Sequence, residues 1–313
     1  MAVITKVAVV GASGNFGGPI TAALRQAGLN VTIISRHDSQ TQHPEGIPVI
    51  HTAYDLEHLT QAFSGQDAAV CVVGPGGIAH QTTLIDAAEA AGVKRFIIDD
   101  FGWGPDVRGL PEFAAIHAQR RAGWDYAKAR ADANPAFTWT GVTSGNPIDW
   151  AMAKFPLMGF DVPNSRAIIY DAGTESFTGT TLAGIGQAVL GVMRHPDETA
   201  NRFVKVLSLQ THQNELLQAF EKVTGREWEV SRATTKELIA SGKAKFKAGS
   251  SGWVLELVVG QLFDAGEARC VVAPSREESD SALLGVAGVS AEALVHTVVE
   301  QVAKRQARAM SVE

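Results

Sequence analysis

The sequence predicts an α/β protein, a doubly wound parallel sheet with a smaller, mostly carboxy-terminal part, and three observations carry that expectation. Short apolar runs alternate with helix-period stretches through the first half of the chain, the pattern of repeated βαβ units. The first strand runs directly into a glycine-rich loop and an amphipathic helix. A length of 313 residues, 45% of them hydrophobic and 19% charged, belongs to a globular chain with room for a large core.

Strands are read at Lys6 to Val10, Val31 to Ser35, Pro48 to Thr52, Ala68 to Val73 and Arg95 to Asp99. The first helix opens near Pro19, a residue suited to a first helical turn, and buries Ile20, Ala23 and Leu24 before Gly28 ends it. The second follows Asp55, whose carboxylate can cap it, with Leu56, Leu59 and Phe63 as its apolar stripe. The third runs from about His80 to Ala91 over Leu84, Ile85 and Ala88, and Gly92 stops it.

Beyond Asp100 the alternation loosens into a loop from Phe101 to Pro105, then a longer helix from Pro111 to Ala133 and a strand from Phe137 to Ser144. Gly145 to Pro163 is rich in aromatic, Pro and Gly residues, which predicts a substrate-facing loop and short helix rather than sheet. Further strands are expected at Ala167 to Tyr170, Arg202 to Leu209 and Glu227 to Val230. Helices are expected at Thr181 to Arg194, on Leu182, Ile185, Val189 and Met193, and at Asn214 to Val223. The last third is helical with irregular joints and closes on Ala291 to Arg308. The expected division puts residues 1–150 and 178–210 in the sheet domain, with 151–177 and 211–313 forming the substrate-binding part.

The glycine loop carries the first chemistry. Gly11, Gly14 and Gly17 stand at GxxGxxG spacing between a buried strand and a helix start, the context that makes such a motif a dinucleotide cradle of the Rossmann type. Gly11 permits the tight turn, Gly14 a close backbone approach to a pyrophosphate, and Gly17 close helix-to-strand packing, with Ser13, Asn15 and Phe16 between them. At the end of the second strand an acid would bind a ribose 2′-hydroxyl, but this chain has Arg36, whose guanidinium suits a 2′-phosphate. Asp38 falls a little late for the ribose acid, though a loop shift could bring it in, and the expected cofactor is NADP(H) rather than NAD(H). Gly74 and Gly76, after the fourth strand, should pass close to the nicotinamide ribose.

Composition narrows the partners. A net charge of −6 argues against a nucleic-acid surface. The short basic run of Lys243, Lys245 and Lys247 reads as a solvated helix end. Two cysteines, Cys71 and Cys270, give neither a disulfide framework nor a metal-ligand spacing, and Cys71 reads as a small buried hydrophobe. The nine histidines show no ligand pairing, so no metal is expected. No run approaches the roughly 18 apolar residues of a membrane helix. The first residues show no charged n-region, apolar h-region and small-residue cleavage site, and the expected reading is an unprocessed protein of the cytoplasm. The expected partner is a small aromatic molecule, with homodimerisation left open.

With these motifs placed, the chain resembles the isoflavone-reductase-like, or NmrA-like, branch of atypical short-chain dehydrogenases over nearly its whole length, fungal members most of all. The segment from Gly11 to Gly17, GASGNFG, is similar to that family's amino-terminal signature, and Arg36 matches its NADP-contacting arginine. Val93 to Gly102 resembles its KRFIPSEFG segment, and Phe137 to Gly141, FTWTG, resembles fungal members. So do Ile169 to Gly173, His195 to Asn201 and Thr224 to Val230. The resemblance implies a Rossmann fold and transfer of hydride from NADPH to an aromatic small molecule.

It also implies a lysine on the helix after the fifth strand, and that position falls on or near Arg120. Arginine stays charged and is a poor general acid. The YxxxK of other short-chain enzymes is absent too, since Tyr126 is followed by Arg130 and Lys128 points elsewhere. His117, three residues before Arg120, shares a helix face with it and with Trp124. The alternatives are that His117 donates a proton while Arg120 stabilises charge on oxygen, or that His117 is a surface imidazole beside a structural arginine. Phe101, Trp103, Trp150, Phe155 and Phe160 are expected to wall an aromatic substrate, with Asn146 or Lys154 orienting its oxygen.

Three functions follow. The first is an NADPH-dependent reductase of a small aromatic or polyketide-like secondary metabolite. The second is a redox-neutral isomerase, dehydratase or cyclase on the same scaffold. The third is a non-catalytic NADP(H)-sensing regulator of the NmrA-like kind.

Overall fold

The computed structural model describes residues 3–106 and 108–310. The first half alternates as anticipated: β1 (Lys6–Val10), α1 (Gly17–Gln26), β2 (Asn30–Arg36), β3 (Val49–Thr52), α2 (Leu56–Phe63), β4 (Ala68–Cys71), α3 (Gln81–Ala90) and β5 (Arg95–Ile97). Then come α4 (Ala114–Ala133), β6 (Thr138–Thr143), β7 (Asn146–Pro147), α5 (Ile148–Met152), β8 (Phe160–Asp161), β9 (Arg166–Tyr170), β10 (Phe177–Thr180) and α6 (Leu182–Arg194). The chain continues through β11 (Arg202–Lys205), β12 (Leu209–Thr211), α7 (Gln213–Thr224), β13 (Glu229–Ala233), α8 (Thr235–Lys247), α9 (Trp253–Phe263) and α10 (Ala291–Met310).

Seven strands form one sheet in the order β11-β6-β5-β4-β1-β2-β3, and the paired strands run parallel. Strand order reverses beside β1, between β4 and β2, so the loops after β1 and β4 open a crevice at the carboxyl ends of the strands. Both faces are covered, which is why the central strands β1 and β4 are nearly continuous apolar runs. On one side Ile20 and Leu24 of α1 and Ile185 and Val189 of α6 pack against Val7, Val9 and Ile33. On the other, Phe63, Leu84 and Trp124 of α2, α3 and α4 pack against Ala8, Val10 and Phe96. Asp55 caps α2 by accepting from the His58 amide at 3.0 Å. Leu56, expected in that helix's stripe, is half exposed, and Ala62 takes the buried place instead.

Two small sheets, β12-β10-β7 and β13-β9-β8, lie against α5, α7 and α10 around a second core that includes Phe160, Phe220, Trp228 and Phe263. Here the sequence expectations need correction. Arg202 to Leu209 is not one strand. Val206 still donates to Thr143 in the large sheet, but Ser208 donates to Gly179 and the chain crosses into the small sheet beside β10. Gly145 to Pro163 does contribute to sheet, through the two-residue strands β7 and β8, too short to leave a periodic pattern. The lysine run closing α8 is not merely solvated: Lys245 lies 2.6 Å from Glu256 and Lys243 4.0 Å from Glu112.

Candidate functional site

The loop after β1 is shaped by its glycines. Gly11 has φ +90°, and a Cβ there would lie 2.3 Å from the Val72 carbonyl oxygen. A Cβ on Gly17 would lie 2.1 Å from the Gly11 carbonyl oxygen, so α1 can approach β1 only with glycine at that position. The turn closes with the Gly14 amide donating to Gly11 at 3.0 Å. No side chain caps α1, so its amino-terminal end is open to an anion.

The loop borders a cavity of about 320 Å³ lined by Gly11, Ser13, Arg36, His43, Gly74 and Gly76. The Arg36 side chain is 58% exposed and its Nε lies 3.7 Å from Asp38. Asp38 therefore accompanies the arginine. Both ring nitrogens of His43 are buried without a partner, and burial together with His51 lowers its pKa. The glycine cradle and a guanidinium at the end of β2 fit a dinucleotide bearing a 2′-phosphate. Gly14, Asn15 and Gly17 shape the loop without lining this cavity, and Phe16 faces the next one.

That second cavity, of about 220 Å³, is lined by Phe16, Phe101, Trp103, His117, Arg120 and Trp124. Phe16 and Phe101 meet with ring centroids 6.2 Å apart. The shared helix face read from the sequence thus brings His117, Arg120 and Trp124 to one wall. Arg120 is 27% exposed, with Nη1 3.7 Å from Asp99 Oδ2. Trp124 Nε1 donates to the Asp99 carbonyl oxygen at 3.2 Å. His117 lies against Phe113 with centroids 6.0 Å apart. Burial, then the charges of Arg121 and Arg120, hold its imidazole below the usual histidine range, so it is neutral at neutral pH. Tyr126 turns away to donate to Asp86 at 2.6 Å.

Two acids beneath this cavity were passed over in the sequence. Burial pushes Asp99 up to about 7, with Arg120 opposing and Asp100 adding to the shift. Burial pushes Asp100 up to about 6, although it accepts from Thr143 Oγ1 at 2.9 Å and from the amides of Gly102 and Gly104. The available signal was a pair of consecutive acids closing a buried apolar run, Phe96 to Ile98.

A third cavity, of about 150 Å³, shares Trp103 with the second and adds Asn146, Trp150, Met158, Leu262 and Cys270. The Asn146 amide donates to Met158 Sδ at 3.0 Å. Lys154 lies over the Trp150 ring at 4.0 Å and Phe155 is half exposed, and neither lines the cavity. Phe160 is not a wall residue. It is buried in the second core, its ring centroid 4.9 Å from that of Phe220. The contribution of α9, through Val258, Gln261 and Leu262, went unread because that helix is apolar nearly all round and shows no one-sided stripe. Among the described residues no group of three His, Cys, Asp or Glu could hold a metal ion, and no helix is long and apolar enough to cross a membrane.

Comparisons place this geometry among known proteins. The sequence profile of the NmrA-like family matches residues 4–121. Oxidoreductase poxI of Penicillium oxalicum is 66% identical over 295 residues, covering 94% of each chain. Oxidoreductase aprR of Aspergillus flavus is 35% identical over 239 residues, 74% of this chain and 78% of that one. The solved structure of AtPrR2 with NADP+ and (+)pinoresinol superposes with a TM-score of 0.76 at 18% identity, over 95% of this chain and 100% of that one.

Proposed function

The chain belongs to the NmrA-like family, and from that premise we propose that it is an NADPH-dependent reductase of a small aromatic or polyketide-like molecule. One observation supports this reading above the others: Phe16 of the glycine loop and Arg120 of α4 line the same cavity, beside the cleft that fits the dinucleotide. A cation thus stands where oxygen on a reacting carbonyl or enone would gather charge, within reach of the cofactor loop. The names of the two fungal relatives, both called oxidoreductases, agree with it.

In this mechanism Arg36 holds the 2′-phosphate and the amides opening α1 hold the pyrophosphate. Bound NADPH supplies the hydride. Arg120 stabilises negative charge developing on the substrate oxygen, a service that needs a fixed cation and no proton transfer. His117, neutral beside two arginines, orients that oxygen, and the completing proton comes from solvent. Trp103 and Trp150, with Met158 and Leu262, hold the aromatic body of the substrate. Met158 and Leu262 belong to the part formed by residues 151–177 and 211–313, to which we assign substrate binding, and Trp103 and Trp150 meet it from the sheet domain. Asn146, which lines the same cavity beside Met158, would orient a substituent there.

The test incubates the protein with NADPH and a panel of aromatic ketones, enones and benzylic ethers, following NADPH absorbance and product mass. Loss of NADPH matched by a product gaining a hydride and a proton supports the reductase. Conversion without change of mass points to redox-neutral chemistry, and binding without conversion to a sensor.

A further inference from the structure

We propose that Asp99 is a positioning residue whose ionisation sets how much of the Arg120 charge reaches the reaction cavity. The inference rests on the reductase reading. Asp99 lies two residues beyond β5, at the carboxyl end of the sheet, and is 3% exposed. Its Oδ2 is buried with no hydrogen-bond partner, and Arg120 Nη1 stands 3.7 Å away, within ion-pair range but beyond a hydrogen bond.

The groups facing this carboxyl come from three elements. From β4 comes the Cys71 thiol, fully buried and pushed well up, hence neutral. From its own loop comes the Asp100 carboxyl. From α4 come Arg120 and Trp124, but the Trp124 indole N–H is spent on the Asp99 carbonyl oxygen. His117 and Arg121 lie further along α4, against Arg120 rather than Asp99. The two acids therefore differ. Asp100 has a hydroxyl and two amides to receive its charge, whereas Asp99 has only the offset guanidinium, and its neutral form is favoured until about pH 7.

The consequence has a definite sign. With Asp99 protonated, the acid left near Arg120 is Asp100, whose charge is received by Thr143 and two amides, so more of the Arg120 field falls on the cavity, where it stabilises oxygen in the transition state. With Asp99 ionised, the pair is neutral and that field is offset. Turnover should fall as pH rises through about 7, a direction opposite to that of an enzyme needing a carboxylate base.

The experiment pairs a pH profile of kcat, from about pH 5.5 to about 9, with an NMR titration of the protein carrying carboxyl-labelled aspartate. D99N is the fixed neutral isostere, and D99S replaces it if D99N does not fold. The expected result is a carboxyl resonance titrating near 7 that is absent in D99N and moves to higher pH in R120M. The alkaline fall of kcat disappears in D99N, while KM for NADPH stays within about twofold. The same alkaline limb in D99N, or an Asp99 resonance titrating in the ordinary carboxylate range, overturns the proposal. Failure of the reductase reading shows itself separately, as wild-type protein that consumes no NADPH at any pH, and it removes both.

Discussion

Arg36 and Asp99 are charged side chains in opposite surroundings, and each carries a prediction. Arg36 is more than half exposed, with only an offset Asp38 beside it, so its guanidinium is available for bidentate contact with a phosphate. Arg36→Ala should weaken NADPH roughly 10- to 100-fold, the worth of one charge-assisted contact, and leave NADH almost unchanged. Fluorescence titration with both nucleotides checks it, and an equal loss for both would exclude a 2′-phosphate role. Asp99 is buried and its folded-state pKa is raised above the unfolded value. Its contribution to stability is therefore full below the unfolded pKa and is lost as pH rises through about 7. Asp99→Asn removes that cost, which is on the order of 4 kcal/mol above neutrality. The variant should melt higher than wild type at about pH 8, with a clearly smaller gain at about pH 5. A gain independent of pH would mean that Asp99 is not the titrating group.

The join between β1 and α1 is the element on which cofactor binding depends, because a Cβ at Gly17 has only 2.1 Å to the Gly11 carbonyl oxygen. Gly17→Ala must displace the loop, costing about 1–3 kcal/mol of stability and most of the NADPH affinity. Asp55→Ala, at the α2 cap, supplies the contrast. It should cost about 1 kcal/mol in a denaturant titration and leave NADPH binding intact. Such elements are legible in the sequence because their determinants are local: β1 ends where its apolar run meets Gly11, and α2 begins at its cap. Arg36 could be placed for the same reason, by counting from the glycine loop. The second core was not legible in this way. Strands β7 and β8 are fixed by partners far along the chain, β10 and β9, and Phe160 resembles a loop aromatic until it packs on Phe220 and Trp228. Asp99 was unread because its significance lies in an Arg120 brought to it by a helix 15 residues further on.

At the scale of the molecule, the seven-stranded sheet opens a crevice where strand order reverses, and α5 and α9 line a separate apolar cavity. Trp103 borders both the cavity lined by Arg120 and the apolar cavity lined by α9, and the proposed reading has one substrate reach both. Trp150→Ala should raise KM for an aromatic substrate at least about tenfold with NADPH affinity unchanged, since it truncates only the apolar end. A loss confined to kcat would place Trp150 elsewhere in the reaction. The reductase reading joins these parts, and tracing the hydride tests it most directly. The protein is given NADPH deuterated at its transferring position, together with the substrate found in the panel, and the product is examined by mass spectrometry and NMR. The account predicts one deuterium on the reduced carbon and one solvent proton for each NADPH consumed, with the yield collapsing in Arg120→Met. A product of unchanged mass, or tightly bound NADPH whose label never leaves it, would contradict the account.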